Sequence, residues 1–208
     1  YGFMCIFVGV MLSVFQQAVG INAVLYYAPR IFQDMGMGNP MVQTVIMGVV
    51  NISFTLVAVF TVEKLGRKPL LILGSIGMAV GALGVALTFG NAALSTVTMI
   101  SIMVYSASFM FSWGPIAWVL IAELFPNTIR GAAVAIAVAF QWIFNFIVSS
   151  TFVPMFNMHL TPGDDFGHWF TYGLYGVICI LAAIFVWKLV PETKGKTLED
   201  MSKLWRKE

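Results

Sequence analysis

Charge is what this chain has least of. Only 10% of its 208 residues are Asp, Glu, Lys or Arg, where soluble domains carry roughly 25%. From Pro69 to Ala122 there is no charged side chain, and the same holds from Gly131 to Gly163. A soluble surface cannot be built from runs like these. Cysteine is equally sparse, at 2 residues. Cys5 and Cys179 both lie in apolar stretches, where a free thiol acts as a small packing group. That excludes a disulfide framework and a zinc spacing. Acids are missing from the middle of every apolar stretch, and intramembrane acids are the usual proton relays. No glycine-rich phosphate loop is present. An intramembrane enzyme therefore lacks its acid, its metal and its nucleophile pair. No cofactor and no nucleic-acid partner are implied.

Apolar residues fill that space, at 60% of the chain with a mean hydropathy of +0.91. A membrane-crossing helix needs about 20 of them in a row. Six spans are expected, at about 2–28, 41–62, 69–89, 95–122, 129–154 and 166–190, the first continuing less apolarly to Met35. Turn residues separate them: Gly36, Gly38, Asn39 and Pro40, then Gly90 and Asn91, then Pro162 to Asp165. The fold class expected is an all-α membrane protein. The tail, 191–208, is polar, with a short surface helix expected from Leu198 to Trp205.

Basic residues orient the bundle. With six spans, Lys64, Arg67, Lys68, Arg130, Lys188, Lys194, Lys196, Lys203, Arg206 and Lys207 fall on one side, ten of the 11 Lys and Arg. That side is expected to be cytoplasmic, with both ends of the chain there. The first segment does not read as a signal peptide, since no basic stretch precedes it.

Against this apolar background the amides stand out. Gln16, Gln17 and Asn22 surround Gly20 in the first span, followed by Tyr26 and Tyr27. An unpaired amide in hydrocarbon costs roughly 4–8 kcal/mol on the harshest scale. One alone would be expected to bond a neighbouring helix. Three around a glycine point to a ligand with hydroxyls. In an unbroken helix Gln16 and Asn22 would diverge by about 120°, and Gln17 and Asn22 by about 140°. Gly20 allows a kink or break that lets them converge.

The fourth span carries Trp113, Gly114, Pro115 and Trp118. Glycine and proline permit a bend, and Trp118 then offers a flat face to sugar C–H groups. Trp113 fits an interfacial anchor better, although both tryptophans sit well inside the span. In the fifth span Gln141, Trp142 and Asn145 follow, with Gln141 and Asn145 on one face at i, i+4. Asn145, and Asn51 in the second span, are expected to bond between helices. Charged clusters recur at three helix ends on one side: Glu63 to Lys68, Glu123 to Arg130, and Glu192 with Lys194. Opposite charges there are expected to latch helices together, with Glu63, Arg67, Glu123 and Arg130 as the gating groups. The lysines are expected only to set topology.

These residues resemble the C-terminal half of a sugar porter of the major facilitator superfamily. Gln16 to Asn22 with Tyr26 and Tyr27 resembles that family's seventh helix. Gly66-Arg67-Lys68 resembles the loop between its eighth and ninth helices. Trp113-Gly114-Pro115 with Trp118, then Glu123-Leu124-Phe125-Pro126 and Arg130-Gly131, resembles its tenth helix and the loop after it. Pro191-Glu192-Thr193-Lys194-Gly195 resembles the signature after its twelfth. Within the family the chain is similar to bacterial D-xylose:proton symporters; animal glucose facilitators share the same kind of site.

The resemblance implies that Gln16, Gln17, Asn22, Trp118 and Gln141 contact sugar and that Tyr26 and Trp142 line the site. It implies that Tyr26 and Tyr27 help close the outer side; the charged clusters, Glu192 among them, are expected to hold the inner gate. Glu63 stands where the family often has Asp, which keeps the charge. The implied partners are a monosaccharide, the lipid bilayer, the missing N-terminal six helices and, as coupling ion, protons. The implied activity is alternating-access transport. A transporter-like sensor and an uncoupled facilitator are the alternatives. The coupling acid would lie in the other half, so symport and facilitation stay open here.

Overall fold

The structure is a computed structural model that describes residues 3–34, 39–161 and 165–196. The expected tail helix, the turn glycines Gly36 and Gly38, and Pro162 to Asp164 lie outside the described residues. Among the described residues there are eight α-helices: α1 (Phe3–Ala18), α2 (Ile21–Asp34), α3 (Pro40–Leu65), α4 (Arg67–Thr88), α5 (Ser95–Phe111), α6 (Trp113–Leu124), α7 (Arg130–Phe156) and α8 (Phe166–Leu189). They make six segments long and apolar enough to cross a membrane: Met4–Gln33, Pro40–Leu65, Arg67–Thr88, Ser95–Leu124, Arg130–Phe156 and Phe166–Leu189. The expected spans agree with these to within a few residues, apart from the first, whose less apolar continuation to Met35 proves to be helical through Asp34.

Two spans are each made of two helices. The first breaks between Ala18 and Ile21, around Gly20 at φ 86. Left-handed backbone of this kind suits glycine. The other breaks at Ser112, at φ −133 and ψ −85. Pro115 then falls in the first turn of α6, where a missing N–H leaves no helical bond unmade. The bend therefore lies just before the glycine and proline that signal it.

Helix α4 forms the centre, packed chiefly on α5 and α8, while α1 lies on α7. The α4–α5 contact is a seam of small residues. A side chain at Gly77, Gly81 or Gly84 would run into Ser108, Tyr105 or Ser101 of α5, and one at Gly74 into Ser112 just past its end. Small residues let membrane helices approach closely, which favours dispersion contacts where no hydrophobic drive exists. At Gly81 a Cβ would lie 2.7 Å from the Tyr105 backbone nitrogen and 2.8 Å from the Ser101 carbonyl oxygen. Backbone cannot yield as a flexible side chain does. Gly81→Val is expected to cost about 3 kcal/mol through overpacking. An unchanged thermal midpoint of the purified protein would contradict this seam.

Asn51 does bond between helices, accepting at Oδ1 from Ser106 Oγ of α5 at 2.7 Å. Trp113 is no interfacial anchor. It is fully buried, and its Nε1 donates to Ser75 Oγ at 2.7 Å and to the Leu71 carbonyl at 3.1 Å. A tryptophan whose N–H finds partners in the core has no need of the interface. Helices α3 and α7 are the least buried spans.

Candidate functional site

The two helix breaks bring the amides together. Across the first break Asn22 Nδ2 donates to Gln17 Oε1 at 2.6 Å. Gln16 reaches the start of α6, where its Nε2 donates to the carbonyls of Trp113 at 2.9 Å and Gly114 at 3.3 Å. From α7, Gln141 Nε2 donates to Gln16 Oε1. Gln16 thus ties α1, α6 and α7 into one polar floor.

This differs in part from three independent ligand contacts. Both polar atoms of Gln16 already have partners within the bundle. Its oxygen keeps one acceptor position, since a carbonyl accepts two bonds. The others are less committed. Gln141 Oε1 is buried with no partner among the described residues. Gln17 Nε2 and Asn22 Oδ1 likewise have none among the described residues. A buried polar atom left unpaired costs roughly 1–3 kcal/mol, so such a floor gains by meeting a hydroxyl.

One cavity of about 450 Å³ takes in all seven residues assigned to substrate: Gln16, Gln17, Asn22, Tyr26, Trp118, Gln141 and Trp142. Its size is within the roughly 300–1,000 Å³ of small-molecule sites. Floor and rim differ in character. Gln16, Gln17 and Gln141 are at most 6% exposed, whereas Trp118, Tyr26 and Trp142 are 46%, 61% and 64% exposed. Amides with free valences lie deep, and aromatic faces stand open around them. The arrangement can exchange hydration for amide hydrogen bonds while rings cover the apolar face of a small polyol.

The same cavity is lined by residues that sequence reasoning did not assign, among them Thr55, Phe109, Met110 and Asn145. Asn145 corrects the expectation of an interhelical bond. Its Oδ1 accepts from Ser149 Oγ in its own helix at 3.1 Å. The signal was available: four residues from Gln141, it had to share that face. Thr55, Phe109 and Met110 carry no such signal, being ordinary residues of apolar helices. Tyr27 lies outside the cavity and stacks on Phe152, with ring centroids 5.2 Å apart and planes at 14°.

A second cluster gathers at the end of the bundle where α3, α4, α6 and the chain after α8 meet. Arg67 donates from Nη2 to Glu123 Oε1 at 2.9 Å, from Nε to Glu123 Oε2 at 3.2 Å, and from Nη2 to Glu63 Oε1 at 3.0 Å. Thr193 Oγ1 donates to Glu123 Oε2 at 2.6 Å. Glu192 bonds backbone rather than a basic side chain. Its carboxylate accepts from the backbone N–H groups of Arg67 at 3.1 Å and Lys68 at 3.0 Å, the first turn of α4. It also accepts from those of Thr193 at 3.0 Å and Lys194 at 2.9 Å. A helix N-terminus presents unpaired donors and positive dipole, and a carboxylate satisfies both.

Lys194 meanwhile donates from Nζ to the Lys64 carbonyl at 2.7 Å. Arg130 stands apart from the acids. Its Nε donates to the Phe125 carbonyl at 3.3 Å, and its Nη2 is buried with no partner among the described residues. Among the described residues the acid–base pairing expected of it is not formed, because the turn before α7 directs the guanidinium at its own backbone.

Comparison with known proteins agrees with this fold. The family described as "Sugar (and other) transporter" matches residues 2–205, and the chain belongs to that family. Its relatives are transporters rather than enzymes. The chain is 50% identical over 210 residues to the D-xylose-proton symporter of Escherichia coli (strain K12), covering 100% of this chain and 43% of the relative. It is 41% identical over 208 residues to the glucose facilitated diffusion protein of Zymomonas mobilis, covering 99% of this chain and 44% of the relative. The solved inward-open conformation of the xylose transporter XylE from E. coli superposes with a TM-score of 0.85 at 50% identity, over 99% of this chain and 43% of that one. The fold is therefore part of a major facilitator transporter. The chain spans less than half the length of these relatives.

Proposed function

We propose that this chain is the C-terminal six-helix half of a carrier that moves a neutral monosaccharide across the cytoplasmic membrane by alternating access. D-xylose is the favoured substrate among pentoses and hexoses, and a proton gradient drives it. The observation that carries this reading is the single cavity holding Gln16, Gln17, Asn22, Gln141, Trp118, Tyr26 and Trp142. Neutral amides and indoles suit an uncharged polyol, with hydrogen bonds for its hydroxyls and flat faces for its C–H groups. A second six-helix half would complete the site, covering faces of α3 and α7, the least buried spans.

In this reading the cluster around Arg67 and Glu192 is the inner gate at the cytoplasmic side. Tyr26 and Tyr27 close the outer one. Coupling to protons is favoured by the similarity to a D-xylose-proton symporter at 50% identity. Uncoupled facilitation is the second reading, favoured by the glucose facilitated diffusion protein at 41% identity.

The test uses the complete protein in proteoliposomes. Labelled D-xylose should enter, and an inward proton gradient should accumulate it above its external concentration. Uptake that equilibrates without accumulating would select the facilitator. No uptake and no binding of any pentose or hexose would end the carrier reading.

A further inference from the structure

The break in the first span leaves a backbone group that another helix looks after. In an unbroken helix the Val19 carbonyl would accept the N–H four residues on. Here Gly20 takes φ 86, and the chain re-enters helix at Ile21, with Val24 N donating to the Gly20 carbonyl at 3.2 Å. Val19 is fully buried, so water is no ready partner for its carbonyl. The donor is the hydroxyl of Tyr105, on α5 and also fully buried. From the other side Tyr175 of α8 packs on the break, its ring lying where a Gly20 Cβ would come within 2.5 Å. The Asn22–Gln17 hydrogen bond bridges this same point, one partner on each side. Its geometry therefore depends on the torsions at Val19 and Gly20.

We propose that Tyr105 is a positioning residue for the sugar site. By holding the Val19 carbonyl it sets the angle between α1 and α2, and so the aim of Asn22 and Gln17. Tyr105 does not line the cavity and acts only through the backbone. The proposal rests on the carrier reading for its ligand, though not for its effect on the backbone.

The test compares Tyr105→Phe with Tyr172→Phe in the complete protein. Tyr172 is fully buried on α8, and its hydroxyl has no partner among the described residues. Each variant loses one oxygen from the same core. Two quantities are read: D-xylose affinity by titration calorimetry, and amide hydrogen exchange of residues 21–28 against that of α4. Tyr105→Phe should weaken affinity about fivefold, the worth of one hydrogen bond, and should quicken exchange at 21–28 alone. Tyr172→Phe should do neither.

The proposal is overturned if exchange at 21–28 is unchanged, if it quickens equally across α4, if it quickens with affinity intact, or if Tyr172→Phe behaves alike. If the unaltered protein binds no sugar, the carrier reading fails. The exchange result then still decides whether Tyr105 holds the break.

Discussion

Gln17→Ala should weaken monosaccharide binding roughly fiftyfold, the largest loss expected of any single side chain in the site. The size follows from what the amide does. Gln17 is 6% exposed, its Oε1 holds Asn22 at 2.6 Å, and its Nε2 has no partner among the described residues, leaving it for a hydroxyl of the proposed ligand. Truncation removes that donor and also frees Asn22 to swing. Two hydrogen bonds at about 1 kcal/mol each, or somewhat more in a dry site, give that ratio. Gln16 is a different case. Its bonds run to Trp113, Gly114 and Gln141, so Gln16→Ala should lower thermal stability together with affinity. Calorimetric titration of the complete protein checks both. A Gln17→Ala affinity within twofold of the parent would remove the polyol site from this cavity.

Arg67→Met should lower stability by about 2–3 kcal/mol, because it removes hydrogen bonds to a charged partner in a poorly solvated place. The Arg67 side chain is 10% exposed and that of Glu123 is 30% exposed. Methionine keeps the length and loses every donor. The same loss should favour the inward-open state, since α4, α6 and the segment after α8 are tied here. Glu63→Gln provides the contrast. Its side chain is 73% exposed, and an exposed i, i+4 pair is worth about 0.3–0.5 kcal/mol. The two variants should also separate with salt. Screening at high ionic strength should erase the Glu63 contribution and leave most of the Arg67–Glu123 one. Thermal midpoints in detergent at low and high salt decide it. Equal effects of both substitutions would mean that the cluster is a solvated charge patch and holds no helices together.

Much of this was legible before any coordinates. The runs from Pro69 to Ala122 and from Gly131 to Gly163 admit only helices that cross a bilayer, because lipid leaves backbone groups no other partner. Gly20 among three amides told of a break for a similar reason. Isolated polar groups in an apolar helix must converge on something, and a straight helix would have kept them apart. The residue types in the cavity followed from that logic.

What contacts each group makes was not legible. Trp113 and Trp118 are the same residue five positions apart in one span. One is sealed against Ser75 and Leu71, and the other stands at the rim. Arg67 and Arg130 both begin helices in charged stretches of the sequence, yet among the described residues only Arg67 pairs with an acid. Tyr105 shows nothing in its neighbours of the carbonyl it serves, which lies 86 residues away. Hydropathy and helix period are local properties, set by which groups tolerate lipid and how the chain must bond itself, so they determined the spans and the chemistry. Partner choice depends on which helix faces are brought within about 3 Å, and only the packing of α4 against α5 and α8, and of α1 against α7, decided that.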